Sequence, residues 1–157
     1  MRIPQWIRES NLIEQVNDLE ADKVCWKAYQ QFRKGPLTFT TIMALHKKIM
    51  AGRFMHGDRH PEWEGTLRDV DVSVGGRDCP EWHRVPGLLL HWFATWAFAD
   101  TEDSIKQAHV EFEHIHPFAD GNGRVGRMVL NWQRHQIKLP PADITYLNRW
   151  DYYAWFR

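Results

Sequence analysis

Apolar residues return along most of this chain at the three-and-four spacing of an α-helix. Residues 5 to 17 and 19 to 33 read as two helices, with Asn17-Asp18 as the punctuation between them. Gly35-Pro36 then breaks the pattern. Thr38 is placed to cap the next helix, and Leu37 and Ile42 sit at the spacing of a hydrophobic staple. Ile42, Leu45 and Ile49 line one face of that helix, and Gly52 is a natural stop. Pro86 opens a helix whose broad apolar face (Leu88, Leu89, Trp92, Phe93, Trp96) predicts a central position. A further helix carries Ile105, Ala108, Phe112 and Ile115 on one side and runs into His116-Pro117, where the proline disfavours helical geometry at His116. After a loop from Phe118 to Asn122, Val125, Met128, Val129 and Trp132 mark the inner face of another helix.

Residues 53 to 84 break the helical rhythm. Gly57, Gly65, Gly75, Gly76, Pro61 and Pro80 supply turn signals, and Val70, Val72 and Val74 alternate with Asp71 and Ser73. That alternation predicts a short, half-exposed strand ended by Gly75-Gly76. Residues 65 to 76 therefore read as a β-hairpin-like flap on a helical body. The expected fold is mostly α: a compact helical bundle with a short β-hairpin flap. It forms one domain, with N-terminal helices over 1–34 and a core over 35–157.

Composition narrows the classes of function. Of 157 residues, 43% are apolar, which suits a folded globule and not a disordered tail. Lys plus Arg equals Asp plus Glu at 20 each, so no global basic field recruits nucleic acid. The nine Trp read as core or partner-facing anchors. Two cysteines, Cys25 and Cys79, form neither a metal-like pair nor a disulfide framework, and point to a reducing cytoplasm. Met1-Arg2 leads into Ile3-Pro4-Gln5-Trp6 and not into the apolar run of a secretory signal. The most apolar stretch, 85 to 99, contains His91 and falls short of the ~20 residues a bilayer crossing needs, so no membrane partner is expected.

The chemistry concentrates in His116-Pro117-Phe118-Ala119-Asp120-Gly121-Asn122-Gly123-Arg124-Val125-Gly126-Arg127. Two glycines flank Asn122, so the backbone can approach a ligand closely. The loop feeds a helix N-terminus, whose free N–H groups and dipole favour an anion. Arg124 and Arg127, three apart, can both reach phosphate oxygens. Asp120 supplies a hard oxygen of the kind Mg²⁺ takes beside phosphates. His116 is a base that titrates near neutrality. Together these are the parts of a phosphoryl- or nucleotidyl-transfer site. Three rivals fail on their own terms. The Gly121-x-Gly123-x-x-Gly126 match to a dinucleotide fingerprint lacks the preceding strand and the acid about 20 residues later. An EF-hand starting at Asp120 would place Arg124 and Asn131 where ligands are required. His109, His114 and His116 lack zinc spacing, so His109 and His114 read as surface or hydrogen-bonded residues, and Phe118 as a core peg.

These twelve residues resemble the signature of the Fic family, His-x-Phe-x-Asp/Glu-Gly-Asn-Gly-Arg-x-x-Arg, with every fixed position matched. The similarity extends over roughly 35 to 150. The resemblance implies a Fic-type bundle that transfers AMP from Mg-ATP to a Ser, Thr or Tyr hydroxyl of a target protein, self-modification included. It assigns His116 as general base and Asp120 as the Mg²⁺ ligand. Gly121, Asn122 and Gly123 would cradle phosphate oxygens, and Arg124 and Arg127 would pair with phosphates. Val70, Asp71, Val72, Ser73 and Val74 would form the target-binding edge. Near the N-terminus, Ser10 and Glu14 share a helical face and resemble the family's inhibitory helix, Ser/Thr-x-x-x-Glu-Gly/Asn, in which the Glu occupies the second motif arginine. Gln15 departs from that pattern. The alternatives are transfer of another phosphate-containing group, removal of AMP, or an idle nucleotide-binding partner in a toxin–antitoxin-like pair. Neither the target nor an oligomeric state is legible in the residues.

Overall fold

A computed structural model describes residues 2–51 and 60–157. The stop at Gly52 and the turn signal at Gly57 lie outside the described residues. The rest forms a helical bundle with one small hairpin, as the periodicity predicts: α1 (Gln5–Ile13), α2 (Leu19–Phe32), α3 (Phe39–Met50), β1 (Ser73–Val74), β2 (Arg77–Asp78), α4 (Val85–Trp96), α5 (Glu102–Ile115), α6 (Asn122–Gln136) and α7 (Arg149–Tyr153).

The helix starts follow the capping chemistry. Thr38 accepts from Thr41 N–H, and the Thr41 hydroxyl answers the Thr38 N–H. The flanking Leu37 and Ile42 are both buried in the core, as a staple requires. Thr101 and Ser104 build the same reciprocal box at α5, and Asp18 accepts from Glu20 N–H to open α2.

α1 is shorter than predicted, and its end has a cause. The Gln15 N–H donates to Leu12 O and the Val16 N–H to Asn11 O, each at 2.9 Å. This pairing is the Schellman closure, which needs a left-handed residue, and Gln15 supplies it at φ 59°. Glu14 is the last residue before that turn.

The expected central helix is not α4. α6 holds that place: ten of its fifteen residues are buried, and α5, α1 and α3 pack around it. α4 packs on α5 through Val85, Leu89 and Trp92, while Leu90 remains 72% exposed. An apolar run without charges reads as buried all round, but only one stripe of α4 finds a neighbour. Residues of α1 to α6 share a single core, from Ile7 and Cys25 through Ile42 and Trp92 to Phe118 and Val129. A smaller cluster joins Ile13, Ile105, Leu130, Ile144 and Tyr152 under the C-terminal segment.

The flap also departs from its prediction. The strand covers only Ser73–Val74, and Gly75-Gly76 turns the chain into a second strand, so Ser73 faces Asp78 and Val74 faces Arg77. Gly75 and Gly76 both have positive φ (58° and 79°), the geometry a two-residue hairpin turn demands. Val70, Asp71 and Val72 form the leg below the strand. No helix among the described residues is long and apolar enough to cross a membrane.

Candidate active site

The site is assembled where α5 ends and α6 begins. His116 caps α5 in the left-handed region (φ 50°, ψ 62°), so the chain turns sharply away from the helix axis. Pro117 and Phe118 are buried, and the Phe118 ring stacks on His46 of α3 at 3.8 Å. Asn122 closes the loop: its Oδ1 accepts from Phe118 N–H and its Nδ2 donates to Phe118 O, each at 2.8 Å. Its side chain is therefore a staple of the loop, and what it offers an anion is the N–H of a first helical turn. Gly121 stands at φ 81°, and a Cβ there would lie 2.7 Å from Met50 Sδ, which accounts for glycine at this position. Its N–H donates to Asp120 Oδ1 at 2.6 Å.

A cavity of about 670 Å³ opens between α1, the hairpin, the start of α6 and the C-terminal segment. Glu14, Val74, His116, Gly123, Arg127 and Tyr153 are among its walls. The imidazole of His116 thus faces the same space as the start of α6. Its Nδ1 lies 3.3 Å from the Glu113 carbonyl, which can only accept, so Nδ1 carries the proton and Nε2 keeps a lone pair. Burial, helped by Arg68, pushes the His116 pKa down against the Glu113 hydrogen bond, which favours the neutral ring at pH 7.

The two motif arginines have different surroundings. Arg127 is buried and makes four hydrogen bonds among the described residues. Its Nε donates to Ser10 Oγ at 2.8 Å, and one amino group donates to Ser10 O at 3.0 Å and to Glu14 Oε1 at 2.6 Å. The other donates to the Tyr152 hydroxyl at 3.4 Å. The Tyr152 hydroxyl also hydrogen-bonds His109 Nε2, 2.9 Å away. Burial opposes the Arg127 charge, yet Glu14, Tyr152 and Glu113 outweigh it and hold its pKa above the ordinary value. Arg124 is 1% exposed, and its Nε has no partner among the described residues. Its nearest answers are Met50 Sδ at 3.2 Å and the Asp120 carboxylate at 3.9 Å. A buried guanidinium with so thin a set of acceptors is suited to an anion from outside.

Glu14 occupies a telling position. A Cβ on Gly123 would lie 2.2 Å from Glu14 Oε1. The carboxylate therefore rests against the first turn of α6, where a helix start favours negative charge. Ser10, Glu14, His116, Gly123 and Arg127 are brought together here. Asp120, Gly121, Asn122 and Arg124 sit behind them in the loop and helix start. Of the flap residues, Val74 reaches the cavity, the Val70 carbonyl is taken by Arg68, and Asp71 accepts from Trp82 N–H.

Four residues with strong local roles escaped sequence reasoning. Glu113 has a buried Oε1 with no hydrogen-bond partner among the described residues, and a Cβ on Gly126 would stand 2.1 Å from it. Burial pushes its carboxyl up to about 8, with Arg127 pulling the other way. Tyr152 closes the Arg127 pocket from the C-terminal end. His46 accepts from Gly65 N–H on Nδ1 and donates from Nε2 to Asp120 O, each at 2.9 Å, tying the base of the flap to the motif loop. Burial pushes it down to about 4, so it stays neutral. Arg68 is the fourth. His46 left a trace, a polar residue inside the stripe of Ile42, Leu45 and Ile49. Glu113, Tyr152 and Arg68 left none.

Fold and site together define a helical protein that holds an imidazole beside the glycine-flanked start of a helix. The chain belongs to the Fic/DOC family, whose model matches residues 36–133. It is 31% identical over 134 residues to a protein named protein adenylyltransferase Fic from Drosophila grimshawi, covering 80% of this chain and 26% of that one. A relative of the same name from Drosophila mojavensis is 30% identical over 130 residues, covering 77% and 24%. The chain thus spans about a quarter of the length of these curated relatives. In fold it is similar to Fic-1 (residues 134–508) from C. elegans, with a TM-score of 0.73, 17% identity, and coverage of 96% and 53%. It is also similar to a Fic domain containing signaling protein from Bacteroides thetaiotaomicron, with a TM-score of 0.68, 20% identity, and coverage of 86% and 55%.

Proposed function

We propose that this protein is a protein adenylyltransferase that moves AMP from Mg-ATP to a hydroxyl of a target protein, and that Glu14 holds it in check. The observation that carries the reading is the seat of Glu14. An internal carboxylate rests on the start of α6 and pairs with Arg127, at 2.6 Å, in the place a triphosphate anion would take. The names of the curated relatives add support.

In this reading His116 Nε2 takes the proton of the incoming hydroxyl. The hydroxyl oxygen forms a bond to the α-phosphorus, and the bond to the bridging oxygen breaks, releasing pyrophosphate. The first-turn N–H groups of α6 and Arg124 hold the inner phosphates, and Arg127 holds the terminal one once Glu14 has left. Among the described residues no group of three or more His, Cys, Asp or Glu could hold a metal. Asp120 nevertheless presents a carboxylate, 23% exposed, at the mouth of the loop. One carboxylate, with phosphate oxygens and water for the rest, suits Mg²⁺. Bound there, the ion would offset phosphate charge.

The test is incubation of wild type, Glu14→Gly and His116→Ala with ATP labelled at the α-phosphate, alone and with lysate. Glu14→Gly is expected to raise protein labelling by ~5–150-fold, the range of a coupling of ~1–3 kcal/mol. His116→Ala is expected to lose ~10²–10⁴-fold while still binding ATP. Label that transfers only from the γ-position would replace AMP transfer with phosphoryl transfer. Release of AMP from a labelled target would make the protein a remover of AMP. Nucleotide binding without transfer in every variant would leave an idle binder, and the proposal would be wrong.

A further inference from the structure

One buried arginine outside the signature joins the flap to the catalytic loop. Arg68 lies in the flap's leading leg and is 2% exposed. Its Nε donates to His116 O at 2.7 Å. One amino group donates to Val70 O at 2.9 Å, in the leg that rises to β1. The other donates to Pro80 O at 2.5 Å, in the leg that returns from β2, and to Ile115 O at 3.3 Å. The Arg68 backbone N–H donates to Pro117 O at 2.9 Å.

The logic of these bonds is specific. The last carbonyls of α5 have no partner within the helix. They also stand at the negative end of its dipole, where a cation is favoured. His116 holds a left-handed backbone, which costs energy for any residue but glycine and persists only where neighbours fix it. The planar fork of a guanidinium can donate in several fixed directions at once, and a lysine cannot. The same side chain therefore fixes the His116 carbonyl and both legs of the hairpin.

We propose that Arg68 is a positioning residue that sets the distance between the flap and the His116 imidazole, and so aligns a flap-bound hydroxyl with the base. This rests on the transfer reading above. Arg68 faces the backbone of the catalytic loop and is not counted among the residues that touch nucleotide. Its loss should slow the reaction without weakening ATP. A displacement of about 1 Å at a reacting centre can cost about 10²-fold in rate.

The experiment places Arg68→Gln and Arg68→Lys in the Glu14→Gly protein. Three quantities are read: KM for ATP, kcat for transfer to protein, and amide hydrogen exchange of residues 70–80 and 115–121. Arg68→Gln is expected to lower kcat by about 10- to 100-fold with KM for ATP unchanged. Exchange should quicken together in both segments, by about tenfold or more, while α2 and α3 hold their protection. Arg68→Lys, which keeps the charge but not the fork, should fall between parent and Arg68→Gln. Unchanged kcat in Arg68→Gln would overturn the proposal, as would faster exchange throughout the molecule or a KM that rises with the loss of kcat. If the Glu14→Gly parent transfers nothing, the AMP-transfer reading fails on that result. The exchange pattern then decides Arg68 alone, and loosening confined to one of the two segments refutes the linkage.

Discussion

Gln15 gives the proposed brake a quantitative handle. It closes α1 from the left-handed region at φ 59°, one residue beyond Glu14. That conformation costs roughly 1–2 kcal/mol for a residue with a Cβ. Glycine escapes the cost but gives back about 0.5–1 kcal/mol through the freedom of the unfolded chain. The net gain for Gln15→Gly is therefore about 1.5 kcal/mol at most. It accrues only while the Schellman turn is formed, which is the state that presents Glu14 to Arg127. Two effects of the same origin follow. The melting temperature should rise by up to about 6 °C for a domain of this size. Basal AMP transfer should fall by up to about tenfold, since the closed state gains that energy and the open state does not. Gln15→Asn should give a smaller gain, because asparagine tolerates this region. Gln15→Ala is the control: it removes the exposed side chain but keeps the Cβ, so neither quantity should improve. Differential scanning calorimetry and α-phosphate label transfer measure the two effects. Raised transfer in Gln15→Gly, or an equal gain in Gln15→Ala, would refute the argument that backbone strain sets the strength of the brake.

Two further predictions follow from the site. Glu113, whose pKa is pushed up to about 8 from an ordinary 4.5, binds a proton in the fold that the unfolded chain releases. Stability from this group is full below pH 4.5 and is lost as pH rises through about 8, by a few kcal/mol at most. Glu113→Gln should therefore melt higher than wild type at pH 8–9 and level with it near pH 4.5; a constant offset across that range would show that the carboxyl does not titrate as argued. In the hairpin, the Cys79 N–H donates to Val72 O at 3.0 Å, which makes that pair a hydrogen-bonded one. Alternation along the ladder then turns the Ser73 N–H and C=O outward, to where an extended target segment could pair. Ser73→Pro should weaken target labelling with ATP binding intact, whereas Val72→Pro should also disturb the hairpin. Full labelling by Ser73→Pro would remove this edge from target binding.

What the sequence made legible was what local rules govern. Thr38 capped its helix and Leu37 stapled it because capping is settled within four residues. The end of α5 at His116 follows from the proline after it, whereas the left-handed backbone there (φ 50°) does not, since a following proline favours extended geometry. The motif loop was readable because glycines, a carboxylate, two arginines and an imidazole at fixed spacing have few other uses. The failures had a different origin. The expected strand starts too early because Val70 and Val72 alternate correctly, but the Val70 carbonyl goes to the Arg68 side chain and not to a neighbouring strand. α4 was placed in the centre because its apolar content is high, and content does not say how many neighbours a helix has. Glu113 meets Gly126 across 13 positions of the chain, Tyr152 meets Arg127 across 25 and Arg68 meets His116 across 48, and no periodicity carries that information.

The proposed anion cradle can be judged by what fills it. Arg127 has Glu14 within 2.6 Å, and Gly123 leaves room for that carboxylate because it lacks a Cβ. Arg124, three residues earlier, has among the described residues a sulfur at 3.2 Å and a carboxylate at 3.9 Å. On the proposed reading this asymmetry explains how a brake can work without mimicking the whole substrate. An internal anion needs to meet only the cation that would hold the far end of the triphosphate. The inner cation remains underserved, so nucleotide still gains by entering, and it must displace one carboxylate to do so. Inhibition is then a competition for Arg127, whose balance shifts with the free energy of a single helix end. Gln15, Glu14 and Gly123 bear on that balance from three sides: strain in the turn, charge in the pocket, and space at the helix start.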